Sequence, residues 1–264
     1  MRGTFNGLVL KECAVGESDK LLTLLTLEKG KVCISAKGVR SPKSKNLALC
    51  RPFVYANFEY YEKNGHYWLA SGAINDSFFA INADIEALSL ASYVVDVANE
   101  LSGEEAPDEI LLRVVLNTLY AIEKNLRPLE LIKGAFEFFV SSHAGFMPNL
   151  NGCKSCGQAE GTSFCLDVMN GSLICSECLK TKKSPLEDTI AEYDRFATKN
   201  ILLPLTNEVI MAIRYAISSD PKRLFSFSLL KEDDVYMFSK AGEVYLQNHL
   251  ERGFDTLDFY RAIL

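Results

Sequence analysis

Four cysteines in two closely spaced pairs constrain the fold of this chain more than any other feature. They follow the pattern Cys153-x2-Cys156-x18-Cys175-x2-Cys178. Two cysteines separated by two residues can bind one cation when the intervening turn is tight, and Gly157 permits such a turn. The spacing is typical of an all-cysteine zinc site. We therefore predict a module at about residues 149–183 that is built around one structural zinc ion.

A second interpretation of these cysteines is redox or catalytic chemistry, because a Cys-x-x-Cys pair can act as a dithiol switch. Four thiolates around one ion leave no open coordination position for water, so a closed site of this kind is structural. Five of the eight cysteines lie between residues 153 and 178, which favours a metal over scattered disulfides. We expect the isolated Cys13, Cys33, Cys50 and Cys165 to be small buried groups.

The N-terminal part of the chain carries short strand-like runs that are separated by turn residues. Asn64 and Gly65 stand between two aromatic-rich runs and predict a tight hairpin, because both central residues of such a turn need positive φ. Several short strands in about 75 residues indicate a small barrel or sandwich. The predicted strands are Leu8 to Leu10, Leu21 to Leu27, Val32 to Ala36, Phe53 to Tyr61 and His66 to Ala70.

Helical patterning follows the strand-rich part. Pro107, Asp108 and Glu109 predict the start of one helix, because proline is tolerated in the first turn and acidic residues there suit the helix dipole. Pro128 predicts the start of another, which ends near Gly145. Three further helices are predicted after the cysteine-rich segment, at Leu186 to Leu203, Asn207 to Ser218 and Asp234 to Leu250.

Charge is divided unevenly along the chain. Residues 1–80 hold 11 Lys and Arg against 7 Asp and Glu, a balance of +4, whereas the remainder holds 17 against 27, a balance of −10. The overall charge of −6 would by itself argue against nucleic-acid binding, but this distribution allows a basic N-terminal surface. We expect the two parts to bind different partners.

A basic stretch from Lys29 to Phe58 contains seven Lys and Arg residues and no acidic residue. Its segment 37–45 combines cations with glycine, serine and proline, which is typical of a surface loop between strands. Long cations in such a loop can follow a phosphate backbone, and the alternative is a solvated loop without a partner. The candidate DNA-binding residues are Lys37, Arg40, Lys43 and Lys45.

The hairpin that follows is rich in aromatic residues on both faces of its strands. Some of them must form the barrel core, and others can stack on unpaired bases. For any single ring, core packing is the simpler interpretation. The aromatic residues are Phe53, Tyr55, Phe58, Tyr60, Tyr61, Tyr67 and Trp68.

Motifs of the common enzyme classes are absent from the sequence, including phosphate-binding loops, dinucleotide fingerprints and nucleophile elbows. We therefore expect no catalytic residue. One alternative is a metal-dependent nuclease that uses Glu17 and Asp19, although a capped turn explains the segment Gly16–Asp19 without any chemistry. A zinc-ribbon scaffold or a transcription-related protein is another alternative.

The chain has no stretch that approaches the roughly 20 apolar residues needed to cross a bilayer. Its N-terminus also lacks the features of a secretory signal. We expect a cytoplasmic, nucleoid-associated protein without a membrane partner.

Several short motifs together resemble the RecO family of bacterial recombination and repair mediators. The resemblance extends over almost the whole chain and depends on the order and spacing of the motifs. They are Gly7–Leu10, Gly16–Asp19 with Leu21 and Leu22, Gly30, Ala36–Arg40 with Ser44 and Lys45, Gly145–Leu150, Gly152–Cys156 and the second cysteine pair.

The resemblance implies a multi-domain α+β fold. An N-terminal OB-fold β-barrel (residues 1–75) would bind single- and double-stranded DNA, and a mostly helical domain (residues 76–264) would carry the inserted zinc module. It also implies strand annealing and recombinase loading, with RecR and the C-terminal tail of the single-stranded-DNA-binding protein as partners.

That tail is acidic with an apolar end, so it needs a cation beside a hydrophobic pocket. The candidate partner-binding residues are Arg127 and Lys133, which flank the helix that carries Phe136 and Phe139. The alternative for each cation is an ordinary solvated surface.

Overall fold

The computed structural model describes residues 1–159, 163–182 and 201–264. The chain forms two compact units: unit 1 comprises residues 1–129 and 254–264, and unit 2 comprises residues 130–253. Both contain strands and helices, and the predicted α+β class is confirmed. The predicted division at residue 75 into a barrel domain and a helical domain stays a prediction.

Five strands of unit 1 form a closed barrel in the order β1-β2-β3-β5-β4. Neighbouring strands are antiparallel except β3 and β5, which pair in parallel through Ile34 with Tyr67 and Ser35 with Trp68. A five-stranded barrel of this kind is an OB-fold, so the predicted fold of the N-terminal part is confirmed. The strands are β1 (Arg2–Val15), β2 (Asp19–Thr26), β3 (Gly30–Ala36), β4 (Tyr55–Lys63) and β5 (His66–Asp76).

The turn between β4 and β5 is the predicted two-residue hairpin. Lys63 pairs with His66 across it, and the two central residues, Asn64 and Gly65, have φ values of 54° and 74°. Asparagine and glycine tolerate this left-handed conformation better than other residues do, which is why this dipeptide fixes the turn.

The barrel interior is filled by side chains that alternate along the strands. In β3, Val32, Ile34 and Ala36 point inward, whereas Cys33 and Ser35 lie between them on the outer face. This alternation explains why Cys33 is exposed, against the expectation that it is buried. Cys13 is also exposed, because it lies at the end of β1 beyond the buried run Gly7–Leu10. The loop after β3 contributes to the core as well, through Val39, Leu49, Cys50 and Val54.

Helices of unit 1 pack beside the barrel. Asp108 caps one of them by accepting a hydrogen bond from the backbone N–H of Leu111 at 2.8 Å, which confirms the predicted helix start. The C-terminal helix was not predicted, and it is joined to the first helix by a hydrogen bond from Thr256 to Asp96 at 2.9 Å. The bounds are α1 (Ile85–Leu101), α2 (Glu109–Glu123) and α7 (Asp255–Ile263), with a short 3-10 helix at Phe79–Ala83.

Unit 2 combines helices with a small sheet in the order β6-β8-β7-β9. The helices predicted after Pro128, at Asn207 to Ser218 and at Asp234 to Leu250 are confirmed. The elements are α3 (Leu129–His143), β6 (Asn149–Cys153), β7 (Phe164–Asp167), β8 (Ser172–Cys175), α4 (Ser176–Lys182), β9 (Leu202–Leu205), α5 (Asn207–Ser218) and α6 (Glu232–Leu250), with a 3-10 turn at Pro221–Arg223.

The helix predicted for Leu186 to Leu203 lies largely outside the described residues. At its end the prediction is wrong, because Leu202 and Leu203 belong to β9 and pair with Asp167 and Leu166 of β7. Hydrogen bonding to an existing strand outweighs the helical pattern of the leucines.

The segment Gly145–Leu150 connects α3 to β6 and is held by side chains of two helices. Tyr245 of α6 donates a hydrogen bond to the carbonyl of Phe146 at 3.0 Å. Arg214 of α5 donates one from Nε to the carbonyl of Leu150 at 3.2 Å. These contacts satisfy backbone groups of an irregular segment, which gives this motif a structural role.

No helix in the described ranges has both the length and the apolar character that crossing a bilayer requires.

Candidate nucleic-acid interface and metal centre

The four cations predicted to bind phosphate lie together in one loop of unit 1. Lys37, Arg40, Lys43 and Lys45 are all exposed and belong to the turn-rich connection between β3 and β4. We call residues 37–45 the basic loop. One side chain within it, Val39, is only 1% exposed and packs into the barrel core. The loop is therefore attached to the barrel while its cations face solvent.

The turn between β1 and β2 holds the base of the basic loop. The backbone N–H of Gly38 donates a hydrogen bond to Asp19 Oδ1 at 2.8 Å. Arg40 donates twice, from its backbone N–H to the carbonyl of Ser18 at 2.9 Å and from Nη1 to the carbonyl of Gly16 at 2.8 Å. These contacts join two of the motifs that were recognised separately in the sequence, and they orient the first half of the loop.

Asp19 is engaged by these contacts. The hydrogen bond from the Gly38 N–H, followed by one from the hydroxyl of Ser18, lowers the pKa of the Asp19 carboxyl below its ordinary value. The carboxylate therefore organises a turn. This arrangement favours the capped-turn interpretation over the nuclease alternative, in which Asp19 would be a metal ligand.

The aromatic residues of the hairpin divide between the two faces of the barrel. Phe53, Phe58 and Tyr60 are buried, as core packing predicts. Tyr61 is 40% exposed, and its ring lies nearly parallel to that of half-buried Trp68, with centroids 6.3 Å apart and an interplanar angle of 11°. The outer surface of the barrel thus carries an aromatic pair.

The cation at the start of the basic loop reaches this pair. The ammonium nitrogen of Lys37 lies 4.4 Å from the centroid of the Trp68 ring, which is cation–π geometry. The basic loop and the outer face of the β4–β5 hairpin therefore form one continuous surface of cations and aromatic rings.

The four cysteines predicted to bind zinc converge in unit 2. Their Sγ atoms all lie within 4.8 Å of one another, and the Sγ atoms of Cys156 and Cys175 are 3.7 Å apart. A tetrahedral zinc ion with Zn–S bonds of about 2.3 Å holds its sulfurs about 3.8 Å apart. The geometry of the donor set therefore fits one tetrahedral ion. Cys153 ends β6 and Cys156 lies in the turn after it, whereas Cys175 and Cys178 come from the junction of β8 and α4.

The electrostatics of the thiols also fit a cation. Burial raises the pKa of Cys153, but hydrogen bonds from the backbone N–H groups of Cys175, Cys156 and Ser155 outweigh it and lower the pKa to about 6. Hydrogen bonds with the neighbouring thiols of Cys175 and Cys156 raise the pKa of Cys178 to about 12. The cluster therefore favours the thiolate form of Cys153 and the thiol form of Cys178. All four cysteines become thiolates only when a positive ion lies between them.

Polar contacts beside the cysteines stabilise the small sheet. Lys154 forms an ion pair with Asp167 at 2.5 Å, and Asn170 donates to the same carboxylate at 2.9 Å. Asp167 is fully buried, so both contacts compensate for the loss of water around its charge. No local pattern predicts this pair, because the two residues are 13 positions apart.

The structure corrects the choice of Lys133 as a surface contact. Lys133 is 1% exposed, and its Nζ lies 3.1 Å from Glu243 Oε2 and 3.4 Å from Glu137 Oε2. Burial lowers the pKa of Lys133, but these two carboxylates outweigh it and hold the pKa above its ordinary value. The ammonium therefore neutralises buried acids in the core of unit 2 and is not presented to a partner.

The apolar residues proposed for the same pocket are also core residues. Phe136 and Phe139 are 0% and 7% exposed. Arg127 is half-exposed, and its Nη1 donates to the carbonyl of Leu126 at 2.6 Å. Of this predicted set, Arg127 alone is at the surface.

Unit 2 has an apolar groove that sequence reasoning did not find. Its volume is about 450 Å³, and its charged lining residues are Glu208, Lys231 and Asp234. The apolar lining comes from α5 and from the segment that precedes α6, and includes Met211, Tyr215, Phe227, Leu229 and Leu230. Leu230 is 96% exposed and Met211 is 66% exposed, and adjacent exposed apolar side chains are typical of a surface that binds a partner.

Two family models match the chain. The model described as "Recombination protein O N terminal" matches residues 1–78, and the model described as "Recombination protein O C terminal" matches residues 82–258. The chain belongs to the RecO family. The resemblance drawn from the sequence motifs is thereby confirmed.

Curated relatives agree with this assignment. The DNA repair protein RecO of Acetivibrio thermocellus is 29% identical over 259 residues, which cover 98% of this chain and 96% of that protein. The protein of the same name from Thermoanaerobacter sp. (strain X514) is 29% identical over 96% of this chain and 94% of its own length. That of Exiguobacterium sibiricum is 32% identical over 64% of this chain and 67% of its own length.

Both candidate sites fall within the matched RecO regions. The N-terminal match contains the whole barrel and the basic loop, and the C-terminal match contains all four cysteines.

Proposed function

We propose that this RecO family member is a DNA-binding recombination mediator in DNA repair. It binds single- and double-stranded DNA through the basic loop and the adjoining barrel surface, promotes annealing of complementary strands, and assists recombinase loading together with RecR. The observation that carries the proposal is the exposed, acid-free basic loop, fixed to an OB-fold barrel by the turn at Gly16–Asp19. Family membership supports the role in repair and recombination.

The acidic net charge of the chain is compatible with this role. Charges separated by more than a Debye length, about 8 Å at physiological ionic strength, are largely screened. A phosphate beside the basic loop therefore interacts mainly with charges within this distance, which include the four exposed cations of the loop. The action at this surface is binding, and we propose no catalytic residue.

We propose a structural role for the metal centre. Cys153, Cys156, Cys175 and Cys178 would hold one Zn²⁺, which cross-links the end of β6 to the β8–α4 junction. All four positions of the ion are then taken by thiolates, so the site is closed.

The helical part is proposed to bind the acidic C-terminal tail of the single-stranded-DNA-binding protein. Such a tail needs a cation beside apolar surface. Arg127 remains one proposed contact. The groove of unit 2 is a less favourable location, because Lys231 lies there beside Met211 and Leu230 but the carboxylates of Glu208 and Asp234 also line it and would repel an acidic tail.

The proposal is tested by fluorescence anisotropy of labelled single-stranded and duplex oligonucleotides, together with annealing of complementary strands. Binding of both DNA forms and accelerated annealing are expected. If neither DNA form binds at low salt, the mediator proposal is wrong, and the zinc-ribbon scaffold becomes the better interpretation.

A further inference from the structure

Tyr61 and Trp68 are direct cross-strand neighbours on the outside of the barrel. They pair in the register of β4 and β5, and directly paired residues of antiparallel strands point to the same face. The adjacent Tyr60 is 7% exposed and belongs to the core, so alternation places Tyr61 on the outer face. The two rings are nearly parallel, at an interplanar angle of 11°.

This pair is not needed to fill the barrel. The interior is already occupied by Phe5, Phe58 and Tyr60, and the rings of Phe5 and Tyr60 stack with centroids 4.1 Å apart. Two large rings left on the outer face lie where they can contact a ligand. Their structural alternative is a cross-strand contact that only stabilises the hairpin.

Cations surround the pair. Lys37 Nζ lies 4.4 Å from the Trp68 ring. Arg2 of β1 is exposed and pairs with Tyr61 in the register of β1 and β4. Lys63 is also exposed and lies two residues after Tyr61, on the same face of β4.

One acidic residue, Glu59, shares this outer row. Its carboxylate accepts a hydrogen bond from the hydroxyl of Ser71. The neighbourhood of the rings is therefore mainly positive, with Arg2, Lys37 and Lys63 against this one engaged carboxylate.

We propose that Tyr61 and Trp68 form a stacking platform for unpaired bases, with Arg2, Lys37 and Lys63 contacting the flanking phosphates. The inference rests on the proposed DNA binding, and it gives a physical reason why this surface would bind single strands more tightly than duplex DNA. Aromatic side chains stack on unpaired bases of any sequence, whereas the bases of a duplex are already stacked on one another. Duplex DNA would use the cations of the basic loop without the platform.

Trp68 is the only tryptophan of the chain, so its fluorescence reports directly on this surface. The experiment titrates the full-length protein with oligo(dT) and with a duplex of equal length, and records tryptophan emission and the anisotropy of labelled DNA in parallel. We expect oligo(dT) to quench the emission with the same midpoint as the anisotropy, and the duplex to bind with little quenching.

Variants separate stacking from hairpin stability. Trp68→Leu and Tyr61→Leu should each weaken oligo(dT) binding about 5- to 20-fold, near the lower end of measured base-stacking contributions, and duplex binding less than about 2-fold. Trp68→Phe keeps an aromatic face and should retain most of the affinity. Tyr236→Leu, at a 68% exposed position of α6, is the matched control and should leave affinity unchanged. Thermal unfolding checks that each variant is folded.

Two results would overturn the platform but not the proposed DNA binding. One is an anisotropy change with oligo(dT) that is not accompanied by quenching of tryptophan emission. The other is an equal loss of affinity for single strands and for duplex in the folded Leu variants. Absence of any anisotropy change with the wild type would overturn both.

Discussion

Asp19 Oδ1 accepts a hydrogen bond from the backbone N–H of Gly38 at 2.8 Å, and this contact connects the first turn of the barrel to the basic loop. Because the pKa of Asp19 is lowered in the folded chain, the contact is fully present above the ordinary value of 3.8 and is lost as the pH falls through the depressed pKa. The loop is therefore anchored throughout the neutral range.

Replacement of Asp19 by alanine should release the base of the basic loop. We expect faster hydrogen exchange at the Gly38 amide. We also expect single-stranded DNA to bind about fivefold more weakly, because the released loop must order about one more backbone residue when DNA binds. Glu17→Ala changes an exposed carboxylate in the same turn and serves as the control. Equal affinities for the wild type and Asp19→Ala would show that this anchor does not matter for DNA binding.

The wild-type protein, purified under reducing conditions, should contain one zinc ion per chain. Cys175→Ser should release the metal and lower the unfolding temperature of unit 2 by roughly 10 °C or more, because structural zinc contributes directly to folding. Cys165→Ser makes the same substitution in the neighbouring strand β7 and should retain the metal. Elemental analysis and thermal unfolding measure both effects. Wild-type protein without zinc would contradict the assignment.

Lys133→Ala should be strongly destabilising. It leaves Glu137 and Glu243 buried without their shared ammonium, and breaking a buried ion pair costs about 3–5 kcal/mol. The double variant Lys133→Met, Glu137→Gln should recover much of this loss, since Glu243 still pairs with Lys240 at 2.5 Å. Urea denaturation measures the free energies of unfolding. A loss below about 1 kcal/mol for Lys133→Ala would argue that the cluster is unimportant.

The sequence predicted those features that depend on a local pattern. Asn64-Gly65 fixes a hairpin because the turn itself requires positive φ, and Asp108 caps a helix three residues away. The cysteine spacing likewise needs two tight turns. The turn and the cap depend on contacts within a few residues, whereas the two cysteine pairs are separated by 18 residues and are brought together by the pairing of β6 with β8.

Features that depend on distant contacts were missed. Lys133 and Glu137 have the i, i+4 spacing of a solvated surface pair, and only packing against Glu243, more than 100 residues away, makes them a core cluster. Leu202 and Leu203 form a strand because β7 is available to pair with them. The position of Trp68 on the outer face depends on barrel closure, which the pattern of aromatic residues in the sequence does not specify.

Binding of the acidic tail can be located with single variants. The buried position of Lys133 makes it unsuitable as a probe, so Arg127→Ala and Lys231→Ala are compared by titrating a fluorescent peptide that is acidic and ends in an apolar residue. The variant that removes a direct contact should weaken binding about tenfold, as expected for a charge-assisted hydrogen bond. Unchanged affinity in both variants would exclude both proposed locations, with circular dichroism as the check on folding.

If the basic loop binds DNA phosphates, the affinity for DNA must depend on salt through the four cations of this loop. Each phosphate contact contributes about 0.7 to the slope of log affinity against log salt for single strands, so alanine at Lys37, Arg40, Lys43 and Lys45 should reduce the slope by up to about 2.8. The control variant carries alanine at the exposed Lys124, Lys180, Lys222 and Arg223, which changes the net charge equally. We predict a flatter slope for the loop variant and a wild-type slope for the control. Equal slopes in all three proteins would show that the basic loop makes no phosphate contacts.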